Sequence, residues 1–330
     1  MIASACKLSC KLASIAIVTL LAGGAERSQA QTYPNRAIRL IAPNPAGGLG
    51  DLLLRTFGDY VTAKTGQPTV IENRAGASGN TAWETIARAT PDGYTIGLIN
   101  TGVIINKFMF KSLRYDVLND LVPIAPIGDA PQLFFIHAKL PPKTLPEFID
   151  FAKAQPRKLT YGSAGIGSPP HLAGDQLSRK IGVELVHVPY RGVAPAITDV
   201  IAGHVDSIPV SIGPIRAAVD GGSARPLFAL TPKRLPYFAD IPAAAEVGLT
   251  GLHMSTWFAL VAPKGTPNQI VEQLNGYVRA MLDDEAAKTR LASSRLEPMV
   301  MTTSEFGAFL KSEAPLWERA VRDAGIHGSE

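Results

Sequence analysis

The chain has 330 residues, 46% hydrophobic and 18% charged, with a formal net charge of +4; this length and apolar content suit two domains of ordinary size. Its basic residues are scattered rather than gathered in a stripe, which excludes the electrostatic footprint of a nucleic-acid binder. Cys6 and Cys10 are the only cysteines, and both fall in the leader described next, so the mature chain has no disulfide scaffold, thiol nucleophile or cysteine metal site.

Residues 1–30 read as a secretory signal peptide. Lys7 and Lys11 form a basic start, Leu12 to Ala25 is apolar, and Ser28-Gln29-Ala30 supplies small residues for cleavage after Ala30. The apolar run is shorter than the ~20 residues a membrane-spanning helix needs. No cysteine follows it to carry a lipid, so release into the periplasm is expected. The leader takes Lys7, Lys11, Arg27 and Glu26 with it, leaving 29 basic and 27 acidic residues, a net +2. That mild positive bias suits an anionic solute.

Strand-like runs then alternate with helical stripes. Ala37 to Ala42 reads as a strand, and Asp51 to Lys64 carries Leu53, Leu54, Phe57, Tyr60 and Val61 at helical spacing. Thr69 to Ile71 and Tyr94 to Ile99 read as strands around a helix near Thr81 to Ala89. A second series begins with a strand at Gln132 to His137, a helix at Leu145 to Ala154 and a strand at Leu159 to Tyr161. It continues with a helix at His171 to Ile181, a strand at Glu184 to Val188, a helix at Ala194 to Ala202 and a strand at Val205 to Val210. Such alternation specifies an α/β protein with parallel sheets covered by helices.

Met254 to Ala262 reads as a strand, and helices are expected at Pro267 to Leu282 and Ser304 to Ala324, with Thr302 or Thr303 as the cap of the latter. The chain is therefore expected to cross between two lobes near 121–135 and return near 250–262, making a hinge. Residues 31–128 and 256–330 are assigned to the first lobe and 129–255 to the second.

Two glycine-rich loops occupy equivalent places. Pro43 to Asp51 joins the first strand to the first helix, and Tyr161 to Ser168 does the same in the second series. Ligands of open α/β sheets bind outside the carboxyl ends of strands, and a glycine-rich turn entering a helix offers N–H groups to an anion. A plain tight turn is the alternative at each loop. Neither loop fits a dinucleotide or Walker pattern, so no cofactor is expected. Asp51 would repel an anion and is better read as a helix cap.

Several segments follow in a specific order: Tyr33-Pro34, Pro45-Ala46-Gly47-Gly48…Asp51, Glu72-Asn73-Arg74-Ala75-Gly76-Ala77-Ser78-Gly79, Pro91-Asp92-Gly93-Tyr94-Thr95, Tyr161 to Ser168 with His171-Leu172, Val188-Pro189-Tyr190-Arg191-Gly192, and Trp257-Phe258 with Ala262-Pro263. This succession resembles the substrate-binding proteins of tripartite tricarboxylate transporters (the Bug, or TctC-like, family) over essentially the whole mature chain. The resemblance implies a two-lobed, type II-like periplasmic-binding-protein fold whose lobes are joined by two extended crossings. It also implies a monomer that closes on a small organic acid and delivers it to integral-membrane transporter subunits.

The ligand-binding residues so implied are Asn44, Ala46, Gly47, Gly48, Leu49, Gly50 and Asp51 in one loop, and Ser163, Ala164, Gly165, Gly167, Ser168 and His171 in the other. Thr101, Tyr190 and Asp206 fall where the family lines its cleft. Main-chain N–H groups and ordered water are implied as the principal donors. This chain departs from the family in having Leu49-Gly50 where Ser-Thr is common and Asn44 where an aromatic residue is common. Leu49 would favour acids with an apolar body over citrate.

Other functions are open on the same residues. Ser168, His171 and Asp206 are the best hydrolase triad available, yet no Gly-x-Ser-x-Gly elbow is present. The six histidines are dispersed and lack metal-ligand spacing; His187 reads as a core residue and His171 as a capping or packing residue. Trp83, Trp257 and Trp317 read as packing residues rather than an aromatic ligand box. An exported sensor that presents its solute to a membrane receptor would use the same closure as a transport protein.

Overall fold

The structure, a computed structural model, describes residues 33–328; the expected signal peptide and its cleavage point lie outside the described residues. From Arg36 onward the chain forms one compact unit. It runs β1 (Ile38–Ala42), α1 (Leu49–Thr65), β2 (Thr69–Asn73), α2 (Asn80–Ala87), β3 (Thr95–Asn100), α3 (Gly102–Met109) and a long β4 (Leu121–His137). Next come α4 (Leu145–Ala154), β5 (Thr160–Ser163), α5 (Pro169–Ile181), β6 (Val186–Pro189), α6 (Val193–Ala202), β7 (Ser207–Ser211), α7 (Ile212–Asp220) and β8 (Ala224–Ala229). The chain ends with β9 (Ser255–Pro263), α8 (Asn268–Asp283), α9 (Glu285–Leu291), β10 (Glu297–Pro298) and α10 (Thr303–Asp323).

Local chemistry sets these elements. Gly66 takes a left-handed conformation and ends α1, which a residue without a Cβ does at low cost. Thr302 and Glu305 form a reciprocal capping box at the start of α10. In α8, Val271, Leu274, Val278, Met281 and Leu282 form the buried stripe. The β1, β3 and β5 strands are largely buried runs, as parallel strands covered on both faces require.

One sheet runs in the order β2-β1-β3-β9-β4-β7-β5-β6, with β8 and β10 beside β4. In one half, β1 pairs in parallel with β2 and β3; in the other, β5 pairs in parallel with β6 and β7. Strands β4 and β9 carry the chain between the halves and are antiparallel to each other. The strand expected from Gln132 begins at Leu121 instead. Pro123, Pro126 and Pro131 obscure its sequence pattern, and its register with β9 slips at Pro123/Ala125 and Pro126/Gly128, because a proline has no N–H for the ladder.

The register determines how the halves are aimed. Strand β3 ends at Asn100, opposite Phe258 of β9, and Phe258 lies opposite Gly128 of β4. Strand β7 ends at Ser211, opposite Gln132 of β4. Strand β3 runs parallel to β4 and β7 runs against it, so the carboxyl ends of β3 and β7 point toward each other along β4. Three residues of β4, four residue steps, separate them, about 13 Å at the usual strand rise.

Thr101 fastens one side of this junction. Its N–H donates to the Trp257 carbonyl at 3.2 Å, and its hydroxyl accepts the Trp257 N–H at 3.0 Å. Its exposure is 0%, so the residue expected to line the cleft is a clamp between β3 and β9. Thr101→Val keeps the shape but leaves a buried N–H unpaired. It should lower unfolding stability by about 1–3 kcal/mol, measured by urea denaturation, while the folded protein retains its ligand affinity.

Candidate functional site

The loops that follow β1, β2 and β3 open at one carboxyl edge, and those that follow β5, β6 and β7 open at the other. Helix starts differ between these edges and the rest of the molecule, α5 with its Ser168 cap being the exception at a carboxyl edge. α1, α2, α3, α6 and α7 all begin at a carboxyl edge, and none has a side-chain cap. At the far edges, α4 and α10 are capped by Thr144 and Thr302, while α8, behind Pro267, has no side-chain cap. Uncapped first turns leave N–H groups available to an anion, and they are concentrated where the two halves face each other.

In the first half, Asn44, Ala46, Gly47 and Gly48 form the β1–α1 loop, and Leu49, Gly50 and Asp51 form the first turn of α1. Leu49 is half-buried. Among the described residues, the N–H groups of Leu49, Gly50 and Asp51 meet no acceptor. Asp51 turns its carboxylate back into the loop, accepting the Gly47 N–H at 3.0 Å, Arg55 Nε at 2.8 Å and Asn73 Nδ2 at 3.0 Å. Burial alone would raise its pKa, but these bonds overcome that and hold it down at about 2. The repulsion that an anion would feel from Asp51 is thus offset by Arg55, and the expected capping role becomes a loop brace.

The second half is built differently. Helix α5 starts with Pro169 and Pro170, which have no N–H, and its N-cap Ser168 accepts the His171 N–H at 3.4 Å. Within the loop, the Gly165 N–H goes to Ser163 Oγ at 3.1 Å, the Ser168 N–H to the Gly165 carbonyl at 3.2 Å, and the Gly167 N–H to His171 Nδ1 at 3.1 Å. The N–H groups of Ala164 and Ile166 are left without an acceptor among the described residues. The N–H groups open to an anion in this half are therefore loop amides, not the α5 terminus.

Beneath that loop lies a ring stack absent from the sequence reading. His171 stacks on His187 at 4.0 Å, and His187 stacks on Tyr161 at 5.0 Å. His187 Nε2 is 2.6 Å from Ser163 Oγ. His187, expected in the core, is half-buried and supports the loop. An Nδ1 that accepts an amide proton marks His171 as neutral, and burial lowers both imidazoles to about 4.

Asp206 is not brought to the site. It precedes β7 at the far edge, 4% exposed, where its oxygens accept Arg157 at 2.7 and 2.8 Å and the Thr160 N–H and hydroxyl at 2.8 Å. Burial raises its pKa, yet Arg157 and Thr160 outweigh that and leave it below the ordinary carboxylate range. With Asp206 there and the Ser168 hydroxyl donating to the Gly165 carbonyl at 2.7 Å, the three residues considered as a triad form no relay. Tyr190 follows β6 at the carboxyl edge, with its hydroxyl donating to Asp199 at 2.5 Å.

Other residues lacked a sequence motif. Arg191 is exposed at the carboxyl edge and forms no ion pair among the described residues. Gln132 lies on β4 between the edges; its only signal was an amide in an apolar strand. Met109, at the end of α3, reaches from the first half to Gly167 of the second. Trp257 packs edge-on against Phe306 and Phe309, and with Trp317 donates to Glu313, each at 2.8 Å. These tryptophans border a cavity of about 680 Å³ with Asp129 and Arg179 that includes none of the loop residues.

The histidine stack predicts a pH dependence. A folded-state pKa near 4 against 6.5 when unfolded makes stability fully present above about pH 6.5 and lost as pH falls toward 4. The His171 contribution alone is on the order of 2 kcal/mol at pH 4.5. Urea unfolding across this range should show the loss, and His171→Gln should flatten it.

Residues 53–326 match the sequence model of the tripartite tricarboxylate transporter family receptor. A UPF0065 protein of Bordetella pertussis is 35% identical over 316 residues, covering 96% of this chain and 97% of that one. R. palustris Rpa4515, solved with adipate, is 32% identical with a TM-score of 0.84, covering 90% of this chain and all of that one. The periplasmic binding protein BugD is 29% identical with a TM-score of 0.81 and coverage of 90% and 100%. MatC from Rhodopseudomonas palustris, solved with bound malate, is 30% identical with a TM-score of 0.78, covering 88% of this chain and 100% of that one. The fold is therefore that of the periplasmic binding proteins, and this chain belongs to the tripartite tricarboxylate transporter receptor family.

Proposed function

We propose that this protein is an exported, non-enzymatic solute-binding protein that captures a small carboxylate between two lobes, 31–128 with 256–330 and 129–255. It acts as a periplasmic monomer and hands its solute to membrane transporter subunits. The observation that carries the reading is the pair of facing carboxyl edges with uncapped main-chain donors: Leu49, Gly50 and Asp51 in one half, Ala164 and Ile166 in the other. Relatives solved with adipate and malate support a carboxylate class. Among the described residues no helix is long and apolar enough to cross a membrane. Leu49, at the first position of α1, would add apolar surface and select acids with a hydrocarbon body.

Thermal-shift screening of aliphatic, aromatic and amino acids tests the class, since a ligand at 100 times its Kd stabilises by about 2.7 kcal/mol. With a hit in hand, Gly47→Val and Gly165→Val should abolish binding. Both glycines have positive φ, +84° and +124°, which valine adopts only with strain, so the loop donors would be redirected. Arg191→Ala should weaken binding less, because its exposed guanidinium supplies long-range attraction rather than a buried contact. Loss of binding in Arg191→Ala alone would make a side-chain clamp the correct account.

Strands β4 and β9 are the connections about which the lobes would close on the solute. Small-angle scattering should give a smaller radius of gyration with saturating ligand. An unchanged radius would mean a rigid cleft.

A further inference from the structure

Gln132 is the one deeply buried carboxamide, among the described residues, whose bonding is incomplete. Its exposure is 1%, and its main chain is fixed by bonds to Met254 and Leu230 at 3.0 and 2.8 Å. Its Nε2 reaches only Thr256 Oγ1, at a long 3.5 Å, and its Oε1 has no partner. By contrast Asn106 and Asn275, 2% and 3% exposed, each make two side-chain bonds at 2.8–3.0 Å. A buried oxygen left unpaired is destabilising, and a donor from outside the protein would relieve that cost.

Position indicates which partner. Gln132 lies opposite Ser211, the last residue of β7, and four residues from Gly128, the level at which β3 ends. It is thus at the floor between the two carboxyl edges. Those edges already supply N–H donors for a carboxylate; Gln132 adds a side-chain acceptor between them. A second unpartnered acceptor, Asn44 Oδ1, stands against the first turn of α1, where a Cβ on Gly50 would lie 2.8 Å from it.

We propose that Gln132 is a specificity-determining residue whose Oε1 receives a hydrogen bond from the solute, so that the preferred ligand is a carboxylate that also carries a hydroxyl or amino donor. This rests on the carboxylate-binding reading above and narrows it. An acid lacking the donor leaves Oε1 unpaired on closure; an acid that has it converts a buried defect into a bond. Discrimination comes from that difference rather than from the carboxylate, which both ligands share.

Calorimetry on matched acids tests it: succinate against malate, succinate against aspartate, and benzoate against 4-hydroxybenzoate. In at least one pair the donor-bearing acid should bind about tenfold tighter or more. Gln132→Leu should erase that ratio, leave the donor-free acid within about twofold, and keep or raise the melting temperature of the free protein, since an unpaired amide has been removed. An unchanged ratio in Gln132→Leu overturns the proposal and makes Gln132 a structural or water-binding group. Equal weakening of both acids also overturns it, because Gln132 then donates to the carboxylate. If Gln132→Leu does not fold, Gln132→Glu keeps the shape and acceptor: it should favour aspartate over succinate more than wild type does, and no gain overturns the proposal. Binding of acids by wild type without any donor preference refutes this inference alone. Binding of no acid refutes the carboxylate reading and this inference with it.

Discussion

The register of β4 with β9 and β7 is the constraint on which the rest depends. Because β3 ends at the level of Gly128 and β7 at the level of Gln132, the edges where helices begin are aimed at each other. Shifting a strand register by one residue would turn its side chains to the opposite face, and here a slip would also move one edge relative to the other. The two slips on β4 lie at Pro123/Ala125 and Pro126/Gly128, on the side of the first half. Gly128 to Pro131 remain regularly paired with β9, while Thr101 bonds Trp257 across β3 and β9. The junction is therefore tied by main-chain bonds that do not depend on what occupies the cleft.

Given facing edges, anion chemistry follows from how each helix begins. In the first half the α1 turn is uncapped, and Asp51, which would repel an anion, is neutralised locally by Arg55. In the second half α5 is closed off by Ser168 and two prolines, and its loop is held open from below by the His171 and His187 rings. The donors in the two halves thus have different origins, a helix terminus on one side and loop amides on the other. A neutral histidine suits the second arrangement. Protonated, His171 would present N–H against the Gly167 N–H and remove the bond that shapes the loop.

Much of this is legible in the sequence. The alternation of strands and helices, the two crossings and both glycine-rich loops are visible because each depends on local pattern: apolar periodicity, or small residues between a strand and a helix. The capping of α10 by Thr302 is local too, and equally visible. The start of β4 is not, because prolines break its pattern while long-range pairing with β9 keeps it a strand. Helices α3 and α7 escape notice for another reason: each begins directly after a strand and has only eight or nine residues, so its apolar residues read as a continuation of the strand. The family resemblance puts Asp206 and Thr101 in the cleft. Only the pairing shows that one lies at the amino end of β7 and the other is consumed by Trp257. Bond saturation is a property of three-dimensional neighbours, and sequence carries little of it.

The same distinction separates class from identity in recognition. Main-chain donors accept any small anion of suitable shape, since every residue but proline has an N–H and its placement depends on fold alone. Under the proposed function, side chains at the cleft decide among acids, and the candidates are Asn44 and Leu49, which the resemblance marks as departures from the family pattern, and Gln132, whose acceptor is unpaired. Apolar surface at Leu49 rewards a hydrocarbon body in proportion to area buried, a graded preference. An unpaired acceptor at Gln132 acts as a yes-or-no condition, because a missing donor leaves the desolvation of that oxygen uncompensated. The two proposed preferences are compatible in one molecule, an acid with an apolar body and a single donor, and together they would disfavour densely hydroxylated acids, whose further polar groups would find no partner against Leu49.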